Sequence, residues 1–158
     1  MISASHLHAM LIHFPIALII TGFVAEIAGL ISNKPVFKLG GFYLLLAGTA
    51  GTIFSYLTGN AAGEGMEEGP LETAMEQHEQ AGTFALWLTI ATAAVYLGIY
   101  IFKYHKKWLR IAAIVLFAAA VGAIARTGYL GGQLVYKHGA GVELSLPDFS
   151  NPGTDTDE

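Results

Sequence analysis

Four histidines carry the chemistry this sequence offers: His8, His13, His78 and His138. Each stands at the end of an apolar run. Imidazole is the commonest protein ligand for transition metals and for haem iron. His8 and His13 open the first run, in His8-Ala-Met-Leu-Ile-His13-Phe-Pro15, while His78 opens the third and His138 closes the fourth. If the runs cross a bilayer in alternation, all four histidines gather at one end of a bundle, from three helices. In a simple bundle the first and third helices are diagonal, so His13 and His78 can take one iron from both sides. His8 and His138 then form a second pair nearer the surface. His8 and His13 lie about 140° apart on a regular helix, which disfavours one metal bound by both, unless Pro15 distorts the helix start. His6 belongs to the same end, and His105 falls among lysines at the other. Met10, Met66 and Met75 share the histidine end, where they can pack or serve copper. The plain alternative is that amphipathic rings sit at the membrane interface and bind nothing.

The elements that would position these rings follow from composition. The chain has 158 residues, 54% hydrophobic and 13% charged, with a mean hydropathy of +0.54. Soluble domains carry about 25% charged residues, so an integral membrane protein is expected. Four apolar stretches, about 9–31, 36–58, 75–103 and 107–137, are each long enough to span. They predict an all-α, up-and-down transmembrane four-helix bundle over residues 1–142, followed by an acidic, disordered tail over 143–158. The opening lacks a basic n-region and a small-residue cleavage site, and reads as a retained span. Pro35 suits a helix start, Thr73 to Glu76 fits a capping box, and Gly139 suits a helix C-terminus. Gly48, Thr52, Ser55 and Gly59 make one small-residue stripe, and His78, Gly82, Ala85 and Thr89 another. Such stripes let helices pack closely or leave room for a flat cofactor.

The net charge of −4 gives no basic patch for nucleic acid. The absence of cysteine excludes disulfides, thiolate metal sites and c-type haem attachment. Lys34, Lys38, Lys103, Lys106, Lys107 and Arg110 flank the two short turns, whereas acids crowd the other face. The positive-inside rule makes those turns cytoplasmic and both termini periplasmic, in a bacterial inner membrane. Two charges lie deeper. Counted from the histidines at ~1.5 Å per residue, Glu26 and Arg126 fall at similar depth, and an intramembrane Glu26–Arg126 ion pair is expected. Snorkelling of each to the headgroups is the alternative.

Leu7-His-Ala-Met-Leu-Ile-His13-Phe-Pro-Ile-Ala-Leu18 and Gly131-Gly-Gln-Leu-Val-Tyr-Lys-His138-Gly-Ala-Gly-Val142 resemble the ends of a bacterial four-helix membrane family, the domain of unknown function numbered 2231. His78 matches that family's mid-chain histidine. Ala9 departs from it, since proline commonly follows the first histidine there. The resemblance covers nearly the whole chain except the acidic tail. It implies membrane residence and a four-helix core, and its histidines suggest haem or metal binding without supplying an activity.

These readings converge on a small b-type haem protein that passes electrons, as a carrier or redox subunit rather than a complete enzyme. Its partners are the lipid bilayer and a periplasmic redox protein or larger respiratory complex. His8, His13, His78 and His138 are the haem-ligand candidates. The alternatives are a copper, iron or zinc centre on His13, His78 and His138, and a structural or assembly subunit without cofactor.

Overall fold

The computed structural model describes residues 3–63, 70–104 and 106–142. The proposed tail lies outside them, as do His105 and Met66. Among the described residues there is no strand. The chain forms α1 (Ala4–Leu11), α2 (His13–Ser32), α3 (Pro35–Gly63), α4 (Glu72–Ile101) and α5 (Lys107–His138). The first two are one span interrupted at Ile12. Pro15 has no N–H to offer the carbonyl of Leu11, and its ring crowds that carbonyl, so the helical ladder breaks there. Ser3 caps α1 by accepting from the His6 N–H at 3.3 Å.

The connections obey local rules. Asn33 ends α2 in the left-handed region (φ 55), and Pro35 starts α3 two residues later. Gly139 ends α5 with φ 68. There its N–H reaches the Val135 carbonyl at 3.0 Å and the Ala140 N–H reaches that of Leu134 at 3.0 Å; this double closure satisfies carbonyls that a helix end leaves free. The expected capping box at Thr73 is not formed. The helix begins earlier, with the Leu71 carbonyl accepting from the Met75 N–H at 2.8 Å, so Thr73 lies inside the first turn.

Four spans, Ala4–Ser32, Pro35–Gly63, Glu72–Ile101 and Lys107–His138, are long and apolar enough to cross a membrane. They form the all-α four-helix transmembrane bundle. Each span packs only on its two sequence neighbours around a ring, the fourth closing on the first through α2 and α5. The diagonal pairs stay apart: no Cα of α2 lies within 8 Å of one in α4. Only about a third of each span is buried against the others. Large apolar side chains such as Phe14, Val24, Phe54, Trp87, Trp108 and Val115 point outward. In water such a surface would associate; in a bilayer it faces lipid of its own polarity.

The core runs along the bundle axis through Ile19, Leu45, Ala85, Phe117 and Ile124. The tightest pair is α2 with α3. A Cβ added at Gly41 would stand 2.9 Å from the Gly22 carbonyl oxygen, and one at Gly48 would stand 2.7 Å from Ile19 Cδ1. The glycines thus permit backbone approach and dispersion contact where lipid provides no hydrophobic drive between helices. Thr49, Thr52, Thr89 and Thr92 are buried too, and each hydroxyl donates to a carbonyl one turn back on its own helix. That bond satisfies the donor without a partner helix.

The bundle therefore has a histidine end, holding both termini of the described chain, and a lysine end, holding the turns after α2 and after α4.

Candidate functional site at the histidine end

The structure divides the candidate histidines into two pairs. His13 and His138 are exposed, and His8 and His78 are half-buried. The division follows from helix geometry. Residues five apart point in different directions on a helix. The interruption at Ile12 leaves His8 turned toward α3, while His13 starts the next helix on its outer side.

His8 places Nδ1 2.9 Å from the Ser55 carbonyl oxygen and 3.3 Å from Thr58 Oγ1. His78 places Nδ1 3.2 Å from the Thr127 carbonyl oxygen. A carbonyl oxygen only accepts, so each Nδ1 carries the proton and donates. Each Nε2 then keeps its lone pair. A bond from Nδ1 to a carbonyl oxygen fixes the tautomer and ring orientation of a metal-binding histidine and raises its basicity.

Each ring also lies over a glycine. A Cβ on Gly59 would stand 2.9 Å from His8 Cε1, and one on Gly131 would stand 3.0 Å from His78 Cε1. A larger residue at either place would push the imidazole away. Gly59 belongs to the small-residue stripe of α3, where the room it leaves is taken by an imidazole.

His8 and His78 stand on diagonal spans, the first and the third. No Cα of α1 lies within 8 Å of one in α4 or α5. The first span thus meets the fourth through α2 alone. Among the described residues no three His, Cys, Asp or Glu side chains gather as a metal centre. His13, His78 and His138 are thus not brought together. Met75 is buried and Met10 exposed, and neither belongs to the pair.

A separate open groove of about 500 Å³ runs along α4, lined by Glu76, Glu79, Gln80, Thr83, Phe84 and Trp87. It presents one face of one helix, with Thr83 Oγ1 3.4 Å from the Tyr56 hydroxyl.

The deep charges pair differently from the sequence expectation. Glu26 is buried, and its Oε1 meets an Arg110 guanidinium nitrogen at 3.4 Å. Arg126 is exposed, so the Glu26–Arg126 pair is corrected to Glu26–Arg110. Depth alone misleads because direction also matters. Arg110 precedes Ala113, Phe117, Ala120 and Ile124 on the buried stripe of α5. Arg126 comes two residues after Ile124, about 200° around the helix. On α4 the Tyr96 hydroxyl is buried and has no hydrogen-bond partner among the described residues. The spacing of the α5 stripe was the available signal for Arg110. Ser55 and Thr127 act through backbone oxygens, for which side-chain identity gives no signal.

A family model described as "Predicted membrane protein (DUF2231)" matches residues 4–144. No curated protein and no solved structure matches the chain.

Proposed function

For this chain, which belongs to the DUF2231 family of predicted membrane proteins, we propose a b-type haem site between His8 and His78 that serves one-electron transfer. One observation carries the reading. Two imidazoles on diagonal spans are each fixed through a donating Nδ1, and among the described residues neither Nε2 has a partner. A six-coordinate electron-transfer haem takes two ligands from the protein, whereas zinc sites commonly use three or four. A pair of fixed imidazoles in an apolar bundle suits the first requirement.

The residues' roles follow. The Ser55 and Thr127 carbonyls orient the imidazoles and hold their protons on Nδ1. Gly59 and Gly131 give the rings room to lie against the helices. The apolar walls exclude water and, with axial-ligand identity, tune the reduction potential. Bound haem supplies the one-electron chemistry itself. His13 and His138 act as interfacial residues in this reading.

The lysine-rich turns favour a cytoplasmic lysine end by the positive-inside rule. The haem then lies at the periplasmic side of a bacterial inner membrane, within reach of a periplasmic redox protein or a larger respiratory complex. The test is the visible spectrum of detergent-purified protein expressed with ample haem, oxidised and then dithionite-reduced. A Soret band with sharp reduced α and β bands is expected. A featureless spectrum would overturn the haem assignment.

A further inference from the structure

We infer that the chain is an internal duplication of one two-helix unit, and that each unit contributes one equivalent half-site to the histidine end. The inference rests on His8 and His78 being the ligand pair, and it adds Gly59 and Gly131 as paired positioning residues.

The half-sites show the equivalence most directly. In the first unit, the His8 imidazole donates to the Ser55 carbonyl and lies over Gly59. In the second, the His78 imidazole donates to the Thr127 carbonyl and lies over Gly131. In both, the glycine follows the accepting residue by four positions, one turn along the same helix. Histidine and acceptor are 47 residues apart in the first unit and 49 in the second. The inner turns differ in the same direction, by three residues: Asn33 and Lys34 join α2 to α3, whereas 102–106 join α4 to α5.

The same alignment carries through the membrane. Advancing the first span by the spacing from His8 to His78 sets Pro15, Ile19 and Gly22 on Ala85, Thr89 and Thr92, and all six are buried. It sets buried Glu26 on Tyr96, whose hydroxyl is buried too. Advancing α3 by the spacing from Ser55 to Thr127 sets Gly41, Leu45, Gly48 and Thr52 on Ala113, Phe117, Ala120 and Ile124. All eight are buried. Lys38 then falls on Arg110. Identities recur in this register at Phe14 and Phe84, Leu18 and Leu88, Ile20 and Ile90, Leu44 and Leu116, and Gly59 and Gly131.

The packing has the matching symmetry. Each unit is a hairpin closed on itself. The two hairpins meet through α3 with α4 and through α2 with α5, which are the same contact under exchange of the units. Both units run in the same sense through the bundle, so their pseudo-twofold axis lies along the helices. Parallel repeats in membrane proteins are related by such an axis. A repeat unit that cannot bury its apolar face alone is completed by its neighbour. Here the neighbour also completes the site. An occupant bound through both Nε2 atoms therefore lies on the axis and is a single centre read alike from both sides.

The experiment uses the full chain in detergent, dithionite-reduced and labelled with nitrogen-15 at histidine. A six-coordinate ferrous haem is diamagnetic, so the ring nitrogens are observable with or without it. Both His8 and His78 are expected with the proton on Nδ1. Gly59→Ala is expected to shift the His8 ring resonances and spare His78. Gly131→Ala is expected to do the converse, by a similar amount. A proton on Nε2 in either ring, or a response to only one of the alanines, would overturn the duplication as a basis for the site. The wild-type tautomers decide the matter even if an alanine variant does not fold. A colourless protein with matched tautomers would end the haem reading and uphold the equivalent half-sites. A pigmented protein with unmatched tautomers would do the reverse.

Discussion

The two ends of the bundle both bury polar groups, but they satisfy them in opposite ways. At the lysine end a charge is met by a charge: Glu26 is almost fully enclosed, and Arg110 reaches it from α5 while keeping 40% of its side chain exposed. At the histidine end each imidazole is satisfied on one nitrogen by a backbone carbonyl and has no partner on the other among the described residues. A closed pair holds helices together, whereas a neutral imidazole that donates through Nδ1 can take a ligand at Nε2. The contrast separates the structural use of polar residues from the functional one within a single fold.

The largest effects are expected at the histidine end. His8→Ala and His78→Ala should each abolish the six-coordinate spectrum, while His13→Ala and His138→Ala should leave it unchanged; absorption spectra of the four variants check this. If the two exposed histidines mattered as much as the half-buried ones, the contrast between free and fixed rings would fail.

At the lysine end the expected effect is on stability. Arg110→Leu leaves a buried carboxylate without its partner and should cost about 1–3 kcal/mol, less than for a fully buried pair because Arg110 is partly exposed. Glu26→Leu should cost less, since the arginine can turn its long stem toward the headgroups. Thermal unfolding in detergent measures both, and neither should move the haem spectrum. The coupling between Glu26 and Arg110 in a double-mutant cycle should clearly differ from zero. That between Glu26 and Arg126 should vanish, with Arg126→Leu alone worth less than about 0.5 kcal/mol.

The smallest effect sharpens the comparison further. Tyr96→Phe removes a buried hydroxyl that has no partner among the described residues. Removing a polar group that makes no hydrogen bond should be neutral or slightly stabilising, within about 1 kcal/mol. A large loss of stability would mean that the hydroxyl does form a bond at the lysine end, and the melting curve of the variant decides it.

The sequence made the spans legible, because length and hydropathy are properties of a stretch rather than of one side chain. It also made legible that histidines return to one end. It did not reveal which histidines turn inward. That depends on the break at Ile12, which Pro15 causes but whose direction only packing against α3 decides. The partner of Glu26 was misread for a related reason. Depth can be counted along the chain, but facing requires the buried stripe, and Arg126 lies off it. The duplication was hidden because exchanges such as Gly48 for Ala120 and Leu45 for Phe117 preserve burial while changing the residue.

The most direct measurement of the central claim is haem content per chain in wild type beside the His8→Ala/His78→Ala double variant, both purified intact in the same detergent. Bound, six-coordinate haem is expected in the first and none in the second. Equal haem in both would contradict the assignment, and would move the site away from the two imidazoles fixed through Nδ1.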